Sequence, residues 1–163
     1  MSREPVHDLA HIAHAELLTP LPEESLRFFV DLFGMEIEHR EGQSVFLRGW
    51  GEYQPYGLKL TEARLPGLGH MALRAWSPEA LQRRVGAIDA TGLGVGWNDG
   101  DHAHGPAYEF GDPDGHRFEV FFEQGAIELT TDFIVGADED SFLVQRPDSP
   151  AERPNLDHMR NTS

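Results

Sequence analysis

The chain repeats itself. His14, Leu17, Pro22 and Glu23 return as His70, Leu73, Pro78 and Glu79 at one constant offset of 56 residues. In each copy a short strand-like run holding the histidine leads into an amphipathic helix, and three further strand-like runs come after it. The sequence therefore reads as two copies of a βαβββ unit. Such a repeat limits the fold more than any single motif, because two like units facing each other bring their first strands together. Two histidines far apart in sequence then share one neighbourhood.

The local pattern supports the repeat. Residues 11–19 are strand-like, and residues 22–34 place Leu26, Phe29, Val30 and Phe33 at the spacing of one buried helix face. Residues 35–41, 43–50 and 57–63 read as three short strands, broken by Gly42 and by the turn-rich segment 51–57. In the second copy residues 69–77 form the first strand. Ser77 followed by Pro78 is a helix N-cap with proline at the first helical position, Leu81, Val85 and Ile88 line the helix, and Gly92 stops it. Residues 93–99, 106–112 and 116–123 supply the remaining strands, the last two joined by the turn Asp112-Pro113-Asp114-Gly115. The expected organisation is a tail over 1–8, one domain over 9–124 built from units 9–65 and 66–124, and an acidic, proline-bearing linker or tail over 125–163.

Charge excludes several function classes. A formal net charge of −15 with no basic run repels phosphate backbones and anionic lipid, so neither nucleic acid nor a membrane surface is an expected partner. No apolar stretch approaches the roughly 20 residues that span a bilayer, and the first ten residues lack an apolar signal core. Zero Cys rules out a disulfide framework and a thiolate metal site, and a cytoplasmic location is the expectation. Metal chemistry, if present, falls to His, Asp and Glu. A lone His on a half-apolar strand is usually a hydrogen-bonded structural residue; the recurrence of His14 and His70 at one repeat position sets these two apart. His7, His11, His39 and His116 read as surface or turn residues, while His102 and His104 share a loop before the last strand pair.

The segments His14-x-x-Leu17, Pro22-Glu23-x-Ser25-Leu26-x-Phe28-Phe29, Leu32-Phe33-Gly34-Met35, Gly69-His70-Met71-Ala72-Leu73-Arg74 and Asp112-Pro113-Asp114-Gly115-His116-Arg117-Phe118-Glu119-Val120 together resemble the vicinal oxygen chelate superfamily. Within it they are most similar to the extradiol ring-cleaving catechol 2,3-dioxygenases. The resemblance implies an α+β fold in which two βαβββ units form curved mixed sheets around a metal cup. It implies metal ligands at His14, His70 and Glu119, with Fe(II) as cofactor and Mn(II) as the alternative ion. Two imidazoles and one carboxylate on one face of iron leave open positions for a catechol and O2. The implied activity is cleavage of the ring beside its hydroxyls to a muconic semialdehyde. A homo-oligomer is also implied, with Trp50 and Trp97 as exposed candidates for its interface or for the pocket.

The same resemblance assigns helper positions. His104 falls where extradiol enzymes carry a substrate-side histidine. An acid–base histidine of the family falls on Tyr56, and a substrate-facing tyrosine falls on Glu109, with Tyr108 adjacent. Aligning the last strand of each unit sets Lys59 opposite Glu119; glyoxalases of the superfamily place a fourth ligand, a Glu, where Lys59 stands, so ring cleavage is favoured over glyoxalase chemistry. Lys59 is expected either in the cup or on the solvent face, depending on strand parity. The segment around His158 resembles the opening of a second such domain. Two alternatives stand beside the enzyme: a non-catalytic N-terminal structural domain of such an enzyme, and a bleomycin-resistance-like protein that binds small molecules.

Overall fold

A computed structural model describes residues 7–123, all within the first of two compact units, Met1–Ile127. The readings of residues 1–6 and of 125–163, His158 included, lie outside the described residues. The elements are β1 (Leu9–Thr19), α1 (Pro22–Arg27) running on into a π-helical turn (Phe28–Leu32), β2 (Glu36–Glu41), β3 (Ser44–Arg48) and β4 (Leu58–Glu62). The second copy consists of β5 (Gly67–Ala75), α2 (Pro78–Asp89), β6 (Gly94–Asn98), β7 (Ala107–Gly111) and β8 (Arg117–Phe121). The expected α+β class and the expected strands and helices are all present.

One mixed sheet holds every strand, in the order β2-β3-β4-β1-β5-β8-β7-β6. The first strands of the two copies, β1 and β5, pair antiparallel at its centre, as a two-fold relation between like units requires. Each is then flanked by the last strand of its own unit in parallel, β4 beside β1 and β8 beside β5. Register confirms the repeat at residue level. Glu16 lies opposite Lys59 and Ala72 lies opposite Glu119. Since Glu16 and Ala72 are repeat equivalents, so are Lys59 and Glu119.

The sheet is curled. In a flat sheet β2 and β6, at opposite edges, would stand about 34 Å apart at the usual strand spacing. Instead His39 on β2 stacks on His102 in the β6–β7 loop, ring centroids 4.0 Å apart. The result is an open cup. Helices cover its outer face in two clusters: Leu26 of α1 on Leu47 and Leu60, and Ala80, Leu81 and Val85 of α2 on Ala75, Tyr108 and Val120. Strand alternation sends the other set of side chains inward.

One expectation needs correction. Leu26 is buried and Phe29 and Val30 pack on its cluster, but Phe33 is 65% exposed. The π-helical turn explains this, since its wider hydrogen-bonded ring puts an extra residue into the turn and rotates Phe33 off the predicted face. Met35 packs on that cluster instead.

Helix α2 starts as its sequence predicts. Ser77 is extended, its hydroxyl accepts from the Ala80 amide at 3.0 Å, and Pro78 comes next. Gly92 beyond the helix has φ +76°, the left-handed geometry that favours glycine after a helix end. Replacing Ser77 by Ala should lower unfolding free energy by about 1 kcal/mol in urea titration, with the m-value unchanged.

Candidate metal centre

Three strands build the site. His14 on β1, Ala72 on β5 and Glu119 on β8 stand in register side by side, and His70 lies two residues before Ala72 on the same face. Ala72 is fully buried, and its single methyl leaves room for the longer His14 and Glu119 side chains to meet above it. The ligand-capable atoms converge. His14 Nε2 lies 3.1 Å from His70 Nε2, His14 Nε2 lies 3.6 Å from Glu119 Oε1, and His70 Nε2 lies 3.4 Å from the same oxygen. Atoms about 2.1 Å from one ion stand about 3.0 Å apart at a right angle and about 3.4 Å apart at the tetrahedral angle. The observed spacings lie at or just above that range.

Satisfaction of polar atoms points the same way. Glu119 Oε1 and His104 Nε2 are buried, 3.4 Å apart, and neither has a hydrogen-bond partner among the described residues. Buried carboxylate oxygens rarely go without a partner. A divalent cation would supply one, and two imidazoles with a carboxylate suit such an ion. The residues present fit the metal that the fold implies.

Further residues fix these side chains. Glu16 Oε2 accepts from His70 Nδ1 at 2.8 Å, which turns Nε2 of that ring toward the centre. Thr61 donates to the other oxygen of Glu16 at 2.7 Å. Asn98 Nδ2 donates to Glu109 at 2.8 Å and, at 3.4 Å, to Glu119 Oε2, so the free oxygen of Glu119 is the one facing the histidines. His104 donates from Nδ1 to the Gly105 carbonyl at 2.8 Å and stacks on Phe121 at 4.2 Å, which turns its Nε2 toward Glu119 Oε1, 3.4 Å away. A cleft of about 500 Å³ lined by Glu41, Ser44, Phe46, Lys59, Asp101 and His102 opens beside this group.

The metal-free cup holds its charges in one pattern. Burial, then the cation at His70, bring the His14 pKa down to about 3, so this ring is neutral. Burial alone would also lower that of His70, but the Glu119 and Glu16 carboxylates outweigh it and hold the pKa up to about 9. Against its own burial, Glu16 is brought down to about 2 by hydrogen bonds from His70 and Thr61 and by the Lys59 charge. Glu119, likewise buried, is held well below the usual carboxylate range by His104 and His70.

The other residues singled out by the sequence divide between the cup and its outside. Tyr56 is buried against His14, ring centroids 4.6 Å apart, and its hydroxyl lacks a partner among the described residues. Burial, then Asp101 and Glu119, push its pKa upward, so at neutral pH it can only keep its proton. The expectation for Tyr108 is corrected: its hydroxyl donates to Asp89 and its ring lies in the cluster under α2, outside the cup. Alternation along β7 sends Glu109 inward instead, opposite Glu119. Lys59 lies in the cup, paired with Asp101 and Glu16. Trp50 and Trp97 are exposed. Sequence reasoning does not reach Glu16, Asn98 or Asp101. Glu16 carries a signal, since it stands two residues after His14 and so shares its face; the loop residue Asp101 carries none.

A cup of paired βαβββ units closing on two imidazoles and a carboxylate defines a domain of the paired-unit class with a candidate metal site. The chain belongs to the Glyoxalase/Bleomycin resistance protein/Dioxygenase superfamily, whose family model matches residues 11–120. It is 51% identical over 121 residues to the metapyrocatechase of Geobacillus stearothermophilus, covering 74% of this chain and 37% of that one. It is 32% identical over 118 residues to the manganese-dependent 2,3-dihydroxybiphenyl 1,2-dioxygenase of Geobacillus genomosp. 3, covering 71% and 38%. Among solved structures, the E323L mutant of homoprotocatechuate 2,3-dioxygenase from Brevibacterium fuscum superposes with a TM-score of 0.70 at 28% identity, covering 76% of this chain and 35% of that one. The chain thus spans well under half the length of these relatives. No helix among the described residues is long and apolar enough to cross a membrane.

The geometry sets two expected outcomes. His70, held protonated to about pH 9 instead of the ordinary 6.5, stabilises the metal-free fold fully below about pH 6.5, and this contribution is lost as pH rises through 9. A metal needs the neutral ring, so divalent-ion uptake at pH 7 should release about one proton per site. Calorimetric titration in buffers of different ionisation enthalpy measures this, and release of none would contradict the assignment. Separately, Ala72→Leu should abolish metal uptake in equilibrium dialysis, because its side chain would fill the gap between His14 and Glu119.

Proposed function

We propose that this chain is an extradiol ring-cleaving dioxygenase unit that takes Fe(II), or Mn(II) in its place, and acts on a catechol with O2. The observation that carries this reading is the convergence of His14 Nε2, His70 Nε2 and the unpartnered Glu119 Oε1 beside the equally unpartnered His104 Nε2. Its relatives, a metapyrocatechase and two extradiol-type dioxygenases, support it.

Iron held by His14, His70 and Glu119 would supply bidentate binding of the two ring oxygens and a route for electrons from the ring to dioxygen. The chain's own residues do the rest. His104, fixed by Gly105 and Phe121, presents a buried imidazole Nε2 that can exchange a proton with a catechol hydroxyl. Tyr56 keeps its proton and serves as a donor at most. Glu16 keeps His70 turned inward, and the fully buried Ala72, Ala107 and Phe121 keep water out of the floor of the cup. The 500 Å³ cleft is of the size that small ligands occupy.

One observation favours a second reading, a metal-holding domain without turnover inside a longer enzyme. Tyr56 stands where the family places an acid–base histidine, and its proton is held too tightly for that task.

The test is oxygen consumption by the chain loaded anaerobically with Fe(II), on addition of catechol and of substituted catechols. Uptake with a yellow ring-fission product, reduced to below about one hundredth in His70→Ala, is the expected result. Stoichiometric iron without uptake would select the second reading. Absence of both would remove the metal assignment and leave small-molecule binding.

A further inference from the structure

Lys59 is not a ligand, yet it touches both halves of the site. Its side chain, 14% exposed, rises from β4 beside the Phe46 ring, with Nζ 5.4 Å from the ring centre. Nζ lies 2.5 Å from Asp101 Oδ2 and 3.6 Å from Glu16 Oε1. Each partner leads on to a different part of the centre.

Glu16 leads to His70. Its Oε2 is taken by His70 Nδ1 and its Oε1 by Thr61, so the ammonium completes the set of contacts that fixes the carboxylate. The fit is close, because a side chain at Gly69 would collide with Glu16. Asp101 leads to His104. Its Oδ1 accepts from the His102 amide at 2.8 Å, and its carbonyl accepts from the His104 amide at 3.2 Å. The turn it opens is tight: Gly100 has φ +94°, and a Cβ there would strike the carbonyls of His104 and Gly105. The Gly105 amide in turn bonds to the Glu123 carbonyl at 2.9 Å beyond β8.

We propose that Lys59 is a positioning residue whose single ammonium sets both the ring of His70, through Glu16, and the loop that delivers His104, through Asp101. A strand at one side of the cup thereby fixes groups borne by β5 and by the β6–β7 loop. Its importance for turnover rests on the ring-cleavage reading; its control of the two geometries does not.

The experiment compares Lys59→Met, Glu16→Gln and Asp101→Asn in the full chain, metal-free, by two nuclear magnetic resonance readouts. One is the His70 Nδ1 proton signal, which reports the bond to Glu16; the other is amide exchange at His104 and Gly105. Glu16→Gln should move the first alone, and Asp101→Asn should speed the second alone by about tenfold. Lys59→Met should do both, with exchange elsewhere in the sheet unchanged. If Lys59→Met does not fold, Lys59→Gln carries the same readouts. A Lys59 variant that moves one signal or neither, or speeds exchange evenly across the sheet, overturns the proposal. Oxygen uptake is read in parallel: wild-type chain without uptake, but with both signals responding as stated, removes ring cleavage and upholds the positioning role.

Discussion

The centre of this structure depends on one strand pairing. When β1 and β5 run antiparallel in the observed register, His14 is set beside Ala72, and β8 adds Glu119 on the other side of Ala72. Neighbouring strands stand about 4.8 Å apart, so His14 and Glu119 begin about 10 Å apart at their backbones. Their side chains reach across only because the residue between them ends at Cβ. A slip of one residue between β1 and β5 would turn His14 to the helix side and dissolve the site. The leucine-rich clusters under α1 and the aliphatic cluster under α2 fix that register, because the same slip would turn their buried side chains into the cup.

Electrostatics then decides what the cup accepts. Glu16, Asp101, Glu109 and Glu119 all face it, and Lys59 pairs with the first two. Without an ion the cup compensates with a proton on His70, which sits between two carboxylates. His14 stays neutral against the same imidazolium. A divalent cation held by these side chains, as the proposed function requires, would take the place of that proton and give Glu119 Oε1 a partner. Glu119 Oε1 and His104 Nε2 remain buried without a hydrogen-bond partner among the described residues, a costly condition for polar atoms.

Much of this is legible in the chain because the repeat is written in residues whose chemistry is specific. The constant offset locates His14 and His70, and two-residue alternation predicts which strands can face a shared cup. The Ser77-Pro78 start and the Gly92 stop of α2 are readable because capping is local. What escapes the sequence is what is not local. Phe33 belongs to the buried face only on a 3.6-residue period, which the π-helical turn interrupts. Tyr108 has the chemistry of a substrate-facing group, although parity along β7 gives the inward position to Glu109. Asp101 is beyond the reach of sequence: its partner Lys59 is 42 residues away, and only the curl of the sheet joins them.

The two-fold relation also shows how a symmetric scaffold yields one centre. His14 and His70 are equivalent and both face in, but the residues around them are not matched. Where unit one has Glu16, unit two has Ala72; where unit two has Glu119, unit one has Lys59. The differences are complementary. Ala72 clears the space that Glu119 crosses, while the larger Glu16 reaches over to hold the other unit's histidine. Lys59 would oppose a cation if it pointed freely at the centre, but Glu16 and Asp101 hold its charge to the side. Unit two therefore contributes the carboxylate of the cluster and unit one the groups that orient its neighbour. A chain with Glu at both positions 59 and 119 would bring one further carboxylate toward the pair of imidazoles. Breaking the repeat at these two positions leaves His14, His70 and Glu119 as three convergent side chains, with Lys59 drawn aside.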